Sequence, residues 1–170
     1  MIEKFYPRLK VDKVQDIELN ELIKNNIKGL ILDIDNTLVP EHVAEADQNA
    51  VGWIERVKKA GLKVCIVSNA SEKRVIKFNE KLKVDAIHRA SKPSSKAFMR
   101  AARLMDIKPE ETAVIGDQIF TDIFGGNRVS MFTVLVKPID KREVIFVRAK
   151  RIAEKYVLTR HEKSLLKSKK

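Results

Sequence analysis

Cysteine is nearly absent from this chain of 170 residues: Cys65 stands alone, which excludes an internal disulfide. No second Cys and no cluster of His lies near it, so a zinc site of the usual ligand set is excluded as well. Its neighbours Val64, Ile66 and Val67 predict a buried strand residue. Long hydrophobic runs are also missing. The longest near-apolar stretch, residues 131–136, is broken by Thr133, far short of the ~18 residues a membrane-spanning helix needs. The first seven residues hold no basic cluster leading into an apolar segment, so no secretory leader is expected. Aromatic residues make up only 6% and do not interleave with basic ones, which counts against a surface that stacks nucleobases. No Ser/Gly-rich linker, internal repeat or low-complexity block interrupts the chain. These absences leave a cytoplasmic protein of one domain, with or without contact at a membrane surface.

What is present is positive charge, unevenly spread. The net charge is +11. Residues 137–170 hold 12 Lys and Arg against 4 Asp and Glu, a net of +8, while the first 136 residues hold 22 against 19, a net of +3. This divides the chain into a near-neutral body, 1–140, and a basic C-terminal helix and tail, 141–170. In the tail Ile145, Ala149, Ile152 and Tyr156 recur at helical spacing, flanked by Arg148, Arg151 and Lys155. Such a helix can lie on an anionic membrane, follow a phosphate backbone, or cap the domain with a solvated face. Residues 163–170 are expected to fray.

Within the body, short apolar runs at 29–32, 62–67, 84–87, 112–115 and 131–136 alternate with segments long enough for helices at 46–60, 71–82, 94–105 and 119–127. Gly61 fits the stop of the first helix. The second and fourth strands are nearly all apolar, as in a parallel sheet covered on both faces. The fold class expected is therefore α/β, a three-layer sandwich with a mainly parallel sheet. In such sheets ligands bind beyond the carboxyl ends of the strands, near the switch in strand order.

Polar residues collect at those exits. Asp33-Ile34-Asp35-Asn36-Thr37 follows the first strand, Ser68-Asn69 the second, Lys92-Pro93 the third, and Gly116-Asp117-Gln118, with Thr121-Asp122, the fourth. Taken singly, each is an ordinary turn former. Four in succession point to a site. Asp33 and Asp35 share it only if the strand curls into a loop, since neighbours two apart otherwise continue along one face. In that event one carboxylate can attack while the other moves a proton. Close carboxylates repel, and a divalent cation relieves this, with Asp117 and Asp122 as further hard oxygen ligands. Oxygen donors without His or Cys favour Mg²⁺. Thr37, Ser68 and Asn69 add neutral donors and Lys92 a compact positive charge, an inventory suited to phosphoryl transfer.

These residues resemble the four motifs of the haloacid dehalogenase (HAD) superfamily: Asp33 to Val39 is similar to motif I, Ser68-Asn69 to motif II, Lys92 to motif III, and Gly116 to Asp122 to motif IV. The longer matches, through Pro40, through Glu72-Lys73-Arg74, and through Gly125-Gly126-Asn127-Arg128, resemble the YqeG family of subclass IIIA phosphatases. Its relatives include the phosphatidylglycerophosphate phosphatases of mitochondria and plastids. The resemblance runs from about Phe5 to Pro138 and implies an Mg²⁺-dependent phosphomonoester hydrolase with a HAD-like Rossmannoid core. Asp33 would be the nucleophile, forming an aspartyl-phosphate, and a metal ligand. Asp35 would act as acid and then base, its backbone carbonyl reaching the metal. The resemblance further implies that Thr37, Ser68 and Asn69 hold the phosphoryl oxygens, that Lys92 neutralises the intermediate, that Asp117 binds the metal directly, and that Asp122 stands behind the direct ligands or reaches the metal through water. Gly125, Gly126 and Asn127 carry no chemistry; a helix stop followed by a left-handed turn is expected there.

Family members often carry a cap domain between motifs I and II or before motif III. Here 30 residues separate Thr37 from Ser68 and 22 separate Asn69 from Lys92, too few for either. An uncapped site accepts a phosphate on a large carrier: a lipid headgroup such as phosphatidylglycerophosphate, a nucleic-acid 3′ end, or a phosphoprotein. The basic helix favours peripheral contact with an acidic bilayer, at ~1 kcal/mol per basic residue near the surface; nucleic acid is the lesser alternative.

Overall fold

The computed structural model describes residues 2–140 and 145–167, with side chains from residue 152 onward in the second segment except at 165 and 167. Six strands, β1 (Leu9–Val11), β2 (Gly29–Leu32), β3 (Lys63–Val67), β4 (Asp85–Ile87), β5 (Thr112–Gly116) and β6 (Phe132–Val136), form one sheet in the order β1-β6-β5-β2-β3-β4. Every pairing is parallel. The order reverses beside β2, so the crevice at the carboxyl ends of β2 and β5 is where a ligand is expected. Helices are α1 (Leu19–Lys24), α2 (Gln48–Lys59), α3 (Glu72–Asn79), α4 (Ser95–Leu104), α5 (Phe124–Asn127) and α6 (Ile145–Lys167).

Alternation along the strands builds the two faces. Leu30, Leu32, Val64, Ile66, Ala113 and Ile115 pack with Leu22 of α1, Trp53, Ile54 and Val57 of α2, and Val75 and Phe78 of α3. On the other face Ile31, Cys65, Val67 and Val114 meet Ala97, Phe98, Ala101 and Ala102 of α4. Cys65 is fully buried, and burial pushes its thiol up to about 12, so it is no nucleophile. Asp47 and Ser71 cap α2 and α3 through the amides of Ala50 and Arg74. Gly61, at φ +84°, ends the turn after α2 in the left-handed region, as expected.

Two expectations need correction. Gly125 and Gly126 do not form a left-handed turn. They lie inside α5, where a Cβ on Gly125 would come within 2.3 Å of the Phe98 ring and one on Gly126 within 2.9 Å of Thr133. They are glycines because the helix presses against its neighbours. Residues 163–167 are helical, since α6 runs to Lys167, and residues 168–170 lie outside the described residues. In the described part of α6 the apolar stripe faces outward, with Ile152 77% and Tyr156 61% exposed, while Glu154 and Val157 are buried. The side chains of Ile145, Ala149, Arg148 and Arg151 lie outside the described residues.

What seats α6 is a polar contact. The Ile119 amide, at the start of a π-helical turn (Ile119–Ile123), donates to Glu154 Oε1 at 2.7 Å. An amide at a helical N-terminus has no partner within the helix, and a carboxylate satisfies it. Val157 packs on Ile119, Ile123 and Leu135, Tyr6 stacks on His161 at 4.4 Å, and Lys10 pairs with Glu162 at 2.9 Å. No helix among the described residues is long and apolar enough to cross a membrane.

Candidate active site

β2 ends at Leu32, and the chain then curls: the amides of Thr37 and Leu38 both donate to the Ile34 carbonyl, at 3.2 and 2.9 Å. Asn36 takes a left-handed φ of 59° within this curl, and its side chain accepts from the Asp140 amide at 3.2 Å. The curl is the condition under which two carboxylates two residues apart face one site. Asp33 and Asp35 both line a cleft of about 160 Å³ with Glu41, Ser68, Asn69, Lys92 and Gln118. An open hollow of about 550 Å³, bordered by Asn36, Glu41, His42 and Asp140, adjoins it. No domain is inserted before Ser68 or before Lys92, so the cleft has no cap.

Lys92 is the electrostatic centre. Its Nζ lies 2.8 Å from Asp33 Oδ1 and 2.7 Å from Asp122 Oδ1, and all three residues are buried. Burial opposes its charge, but the carboxylates of Asp122 and Asp33 outweigh that, holding the ammonium above its usual pKa. The backbone of Lys92 is fixed by Asn69, whose Oδ1 accepts its amide at 2.7 Å and whose Nδ2 donates to its carbonyl at 3.4 Å. Asn69 thus serves Lys92 while also lining the cleft. Ser68 accepts the Ala70 amide at 3.1 Å and is buried at the cleft wall. The Thr37 hydroxyl donates to Asp117 Oδ1 at 3.3 Å.

Gly116 makes room for Asp122, since a Cβ there would lie 2.3 Å from the Asp122 carboxyl carbon. The other oxygen of Asp122 accepts from the Gln118 amide at 3.2 Å and from Thr121 Oγ1 at 3.4 Å. Asp33, Asp117 and Asp122, all buried, bring ligand oxygens within 4.8 Å of one another. Three buried carboxylates around one lysine are short of positive charge. Asp33 registers that shortage: burial first, with the Asp122 charge adding, pushes its carboxyl up to about 6 against the opposing pull of Lys92. Hard oxygen donors with no nitrogen or sulfur suit a divalent cation such as Mg²⁺. The donor set therefore fits a divalent metal.

Of the eight residues singled out in the sequence, Asp33, Asp35, Ser68, Asn69 and Lys92 line the cleft, and Asp117, Asp122 and Thr37 join them through the carboxylate cluster, the Lys92 ion pair and the Thr37–Asp117 hydrogen bond. Sequence reasoning gave no role to Arg74, which grips Asp35 Oδ1 at 2.9 Å, or to Asn36, which ties the β6 exit to the curl. Arg74 was visible only as part of the Glu72-Lys73-Arg74 match, and Asn36 only as a turn residue.

Residues 2–140 match the family described as mitochondrial PGP phosphatase. The chain is 41% identical over 160 residues to the probable phosphatase YqeG of Bacillus subtilis, covering 94% of this chain and 93% of that protein. It is 27% identical over 151 residues to phosphatidylglycerophosphate phosphatase 1 of Arabidopsis thaliana, covering 83% of this chain and 43% of that longer one. Among solved structures, the cobalt-bound deoxy-D-mannose-octulosonate 8-phosphate phosphatase of Haemophilus influenzae shares the fold, with a TM-score of 0.53 at 17% identity over 79% of this chain and 89% of that one. The chain is a phosphatase and belongs to the mitochondrial PGP phosphatase family.

Proposed function

We propose that this phosphatase removes the terminal phosphate of a lipid-linked phosphomonoester, phosphatidylglycerophosphate, with Mg²⁺ and an aspartyl-phosphate intermediate. One observation carries the chemistry: buried Lys92 joins Asp33 to Asp122 while Asp117 completes a carboxylate cluster, at the foot of an uncapped cleft. The similarity to the Arabidopsis enzyme supports the lipid substrate.

A carboxylate oxygen of Asp33 attacks phosphorus as the bond to the glycerol oxygen breaks, and Asp35 gives that oxygen a proton. Asp35 then takes a proton from a water that attacks the acyl-phosphate, freeing inorganic phosphate and restoring Asp33. Lys92 stays beside Asp33 and balances the charge that builds on the phosphoryl oxygens. Ser68, Asn69 and Thr37 contribute donors to those oxygens. Asp33, Asp117 and the Asp35 carbonyl would hold Mg²⁺, with Asp122 direct or through water. Bound there, Mg²⁺ supplies charge neutralisation and polarises the phosphoryl group.

Residues 1–140 form the catalytic unit in this reading, and α6 is an extension docked on it. Ile152 and Tyr156 face outward with exposed Lys155 between them in the chain, a surface suited to the boundary of an anionic bilayer at the cytoplasmic face.

The test is phosphate release from phosphatidylglycerophosphate in mixed micelles, with and without Mg²⁺, beside p-nitrophenyl phosphate. The lipid should turn over far faster than the aryl ester, and only with metal. Turnover confined to the aryl ester would remove the lipid assignment and leave the phosphatase chemistry.

A further inference from the structure

Arg74 sits in the first turn of α3 with its side chain only 16% exposed. Its Nη2 donates to Asp35 Oδ1 at 2.9 Å and its Nη1 to the Ala44 carbonyl at 2.8 Å. The guanidinium carbon lies 5.7 Å above the buried Phe78 ring, which confines the fork from behind. Lys77 and Lys81, three and seven residues on, both pair with Glu45 at 3.0 Å. One side of α3 thus grips the loop after Pro40 at Ala44 and Glu45 and, through the same arginine, the carboxylate of Asp35. The planar guanidinium holds its two acceptors in one fixed geometry, which the flexible point charge of a lysine does not impose.

We propose that Arg74 is a positioning residue for proton transfer, a role that rests on the acid–base part given to Asp35 above. By occupying Oδ1 it fixes the plane of the carboxylate and leaves Oδ2 as the oxygen that exchanges protons. In the first half-reaction the Oδ2 proton passes to the glycerol oxygen as its bond to phosphorus breaks. In the second, Oδ2 takes a proton from water as the new oxygen–phosphorus bond forms. The contact with Ala44 sets Asp35 in register with the loop that bears Glu41, a wall of the cleft. A misplacement of about 1 Å in such a group costs on the order of 100-fold in rate.

The leaving group separates this role from a structural one. p-Nitrophenolate departs without a proton, so phosphorylation of Asp33 by p-nitrophenyl phosphate needs no help from Asp35, whereas the following attack by water does. With the full chain and Mg²⁺, Arg74→Ala should release p-nitrophenolate in a burst of about one equivalent, at a rate within about threefold of wild type, followed by steady turnover slowed on the order of 100-fold. Because phosphorylation of Asp33 is spared, kcat/KM should move by less than about threefold and KM should fall together with kcat, and free guanidinium should restore part of the steady rate. Arg74→Gln should behave as Arg74→Ala. If neither folds, Arg74→Lys, which keeps the cation, carries the test with the same burst and a steady rate about tenfold down. Lys77→Ala, which removes the exposed pairs with Glu45 and Glu80 and leaves Arg74 in place, should change the steady rate by less than about threefold.

A steady rate in Arg74→Ala close to wild type would overturn the proposal. So would burst and steady rate falling together in a protein of unchanged thermal stability. The parent reading is checked separately. Turnover surviving in Asp33→Asn would remove that reading itself, whereas dead Asp33→Asn and Asp35→Asn variants beside a fully active Arg74→Ala would remove only the part given to Arg74.

Discussion

Asp33 carries both the chemistry and its cost to the fold. Held at about 6 in the metal-free protein and 3.8 in the unfolded chain, its carboxyl favours folding fully below about pH 4, where both states are protonated. That contribution is lost as pH rises through about 6, a change of about 3 kcal/mol. Denaturant titrations in a chelator should therefore show the stability of wild type falling relative to Asp33→Asn between pH 4 and 7, and added Mg²⁺ should recover much of the difference. A gap that does not vary with pH would mean that Asp33 is not strained by burial. Because the nucleophile must be ionised, kcat/KM should also fall below about pH 6, and that limb should move to lower pH as Mg²⁺ is raised. Asp33→Asn should abolish turnover and Asp35→Asn should slow it by about 10² to 10⁴, with both proteins folded by circular dichroism. These residues were legible in the sequence because each is a polar group placed directly after an apolar strand. Arg74 was not: on α3 it reads as one more solvated cation, and only the curl and the loop folding back to Ala44 turn it toward Asp35.

At the scale of elements, two glycines offer a matched comparison. A methyl on Gly125 meets the ring of buried Phe98, and one on Gly126 meets Thr133, and neither Phe98 nor Thr133 lines the cleft. Gly125→Ala should cost about 1–3 kcal/mol in chemical denaturation while the surviving folded protein keeps its turnover. Gly116→Ala meets Asp122 instead, and should lose activity in the folded protein because it pushes a carboxylate away from Lys92. The reverse pattern would mean that the close contacts at these positions are misassigned. The sheet itself was legible because near-continuous apolar runs of five residues leave little alternative to a buried parallel strand. β1 escaped notice, being three residues at an edge, with only Leu9 and Val11 turned to the core. The segment 119–127 read as one helix because spacing cannot distinguish a π-helical turn from an α-helical one.

For the molecule as a whole, the division into a near-neutral body and a basic end holds in composition, but α6 is seated on the body by Glu154, Val157 and His161. Hydrophobic spacing picked out the outward stripe and gave no sign of the inward face, because a buried carboxylate, answering the amide of Ile119, fixes the helix's rotation and turns Ile152 and Tyr156 outward. Deleting residues 145–167 should therefore destabilise the body, whereas Ile152→Ser with Tyr156→Ser should leave folding and aryl phosphate hydrolysis intact. The double variant should bind anionic vesicles at least about tenfold more weakly, as expected for removing two apolar side chains from an interface. Equal binding by wild type and double variant would take this face out of any membrane contact. The central claim, that Asp33 becomes phosphorylated, is tested most directly by acid quench during turnover, borohydride reduction of the trapped acyl-phosphate, and mass spectrometry of the peptide. Homoserine at position 33, formed only with Mg²⁺ and substrate present, is the expected result; phosphate release with residue 33 unmodified, or with the adduct on another side chain, would contradict it.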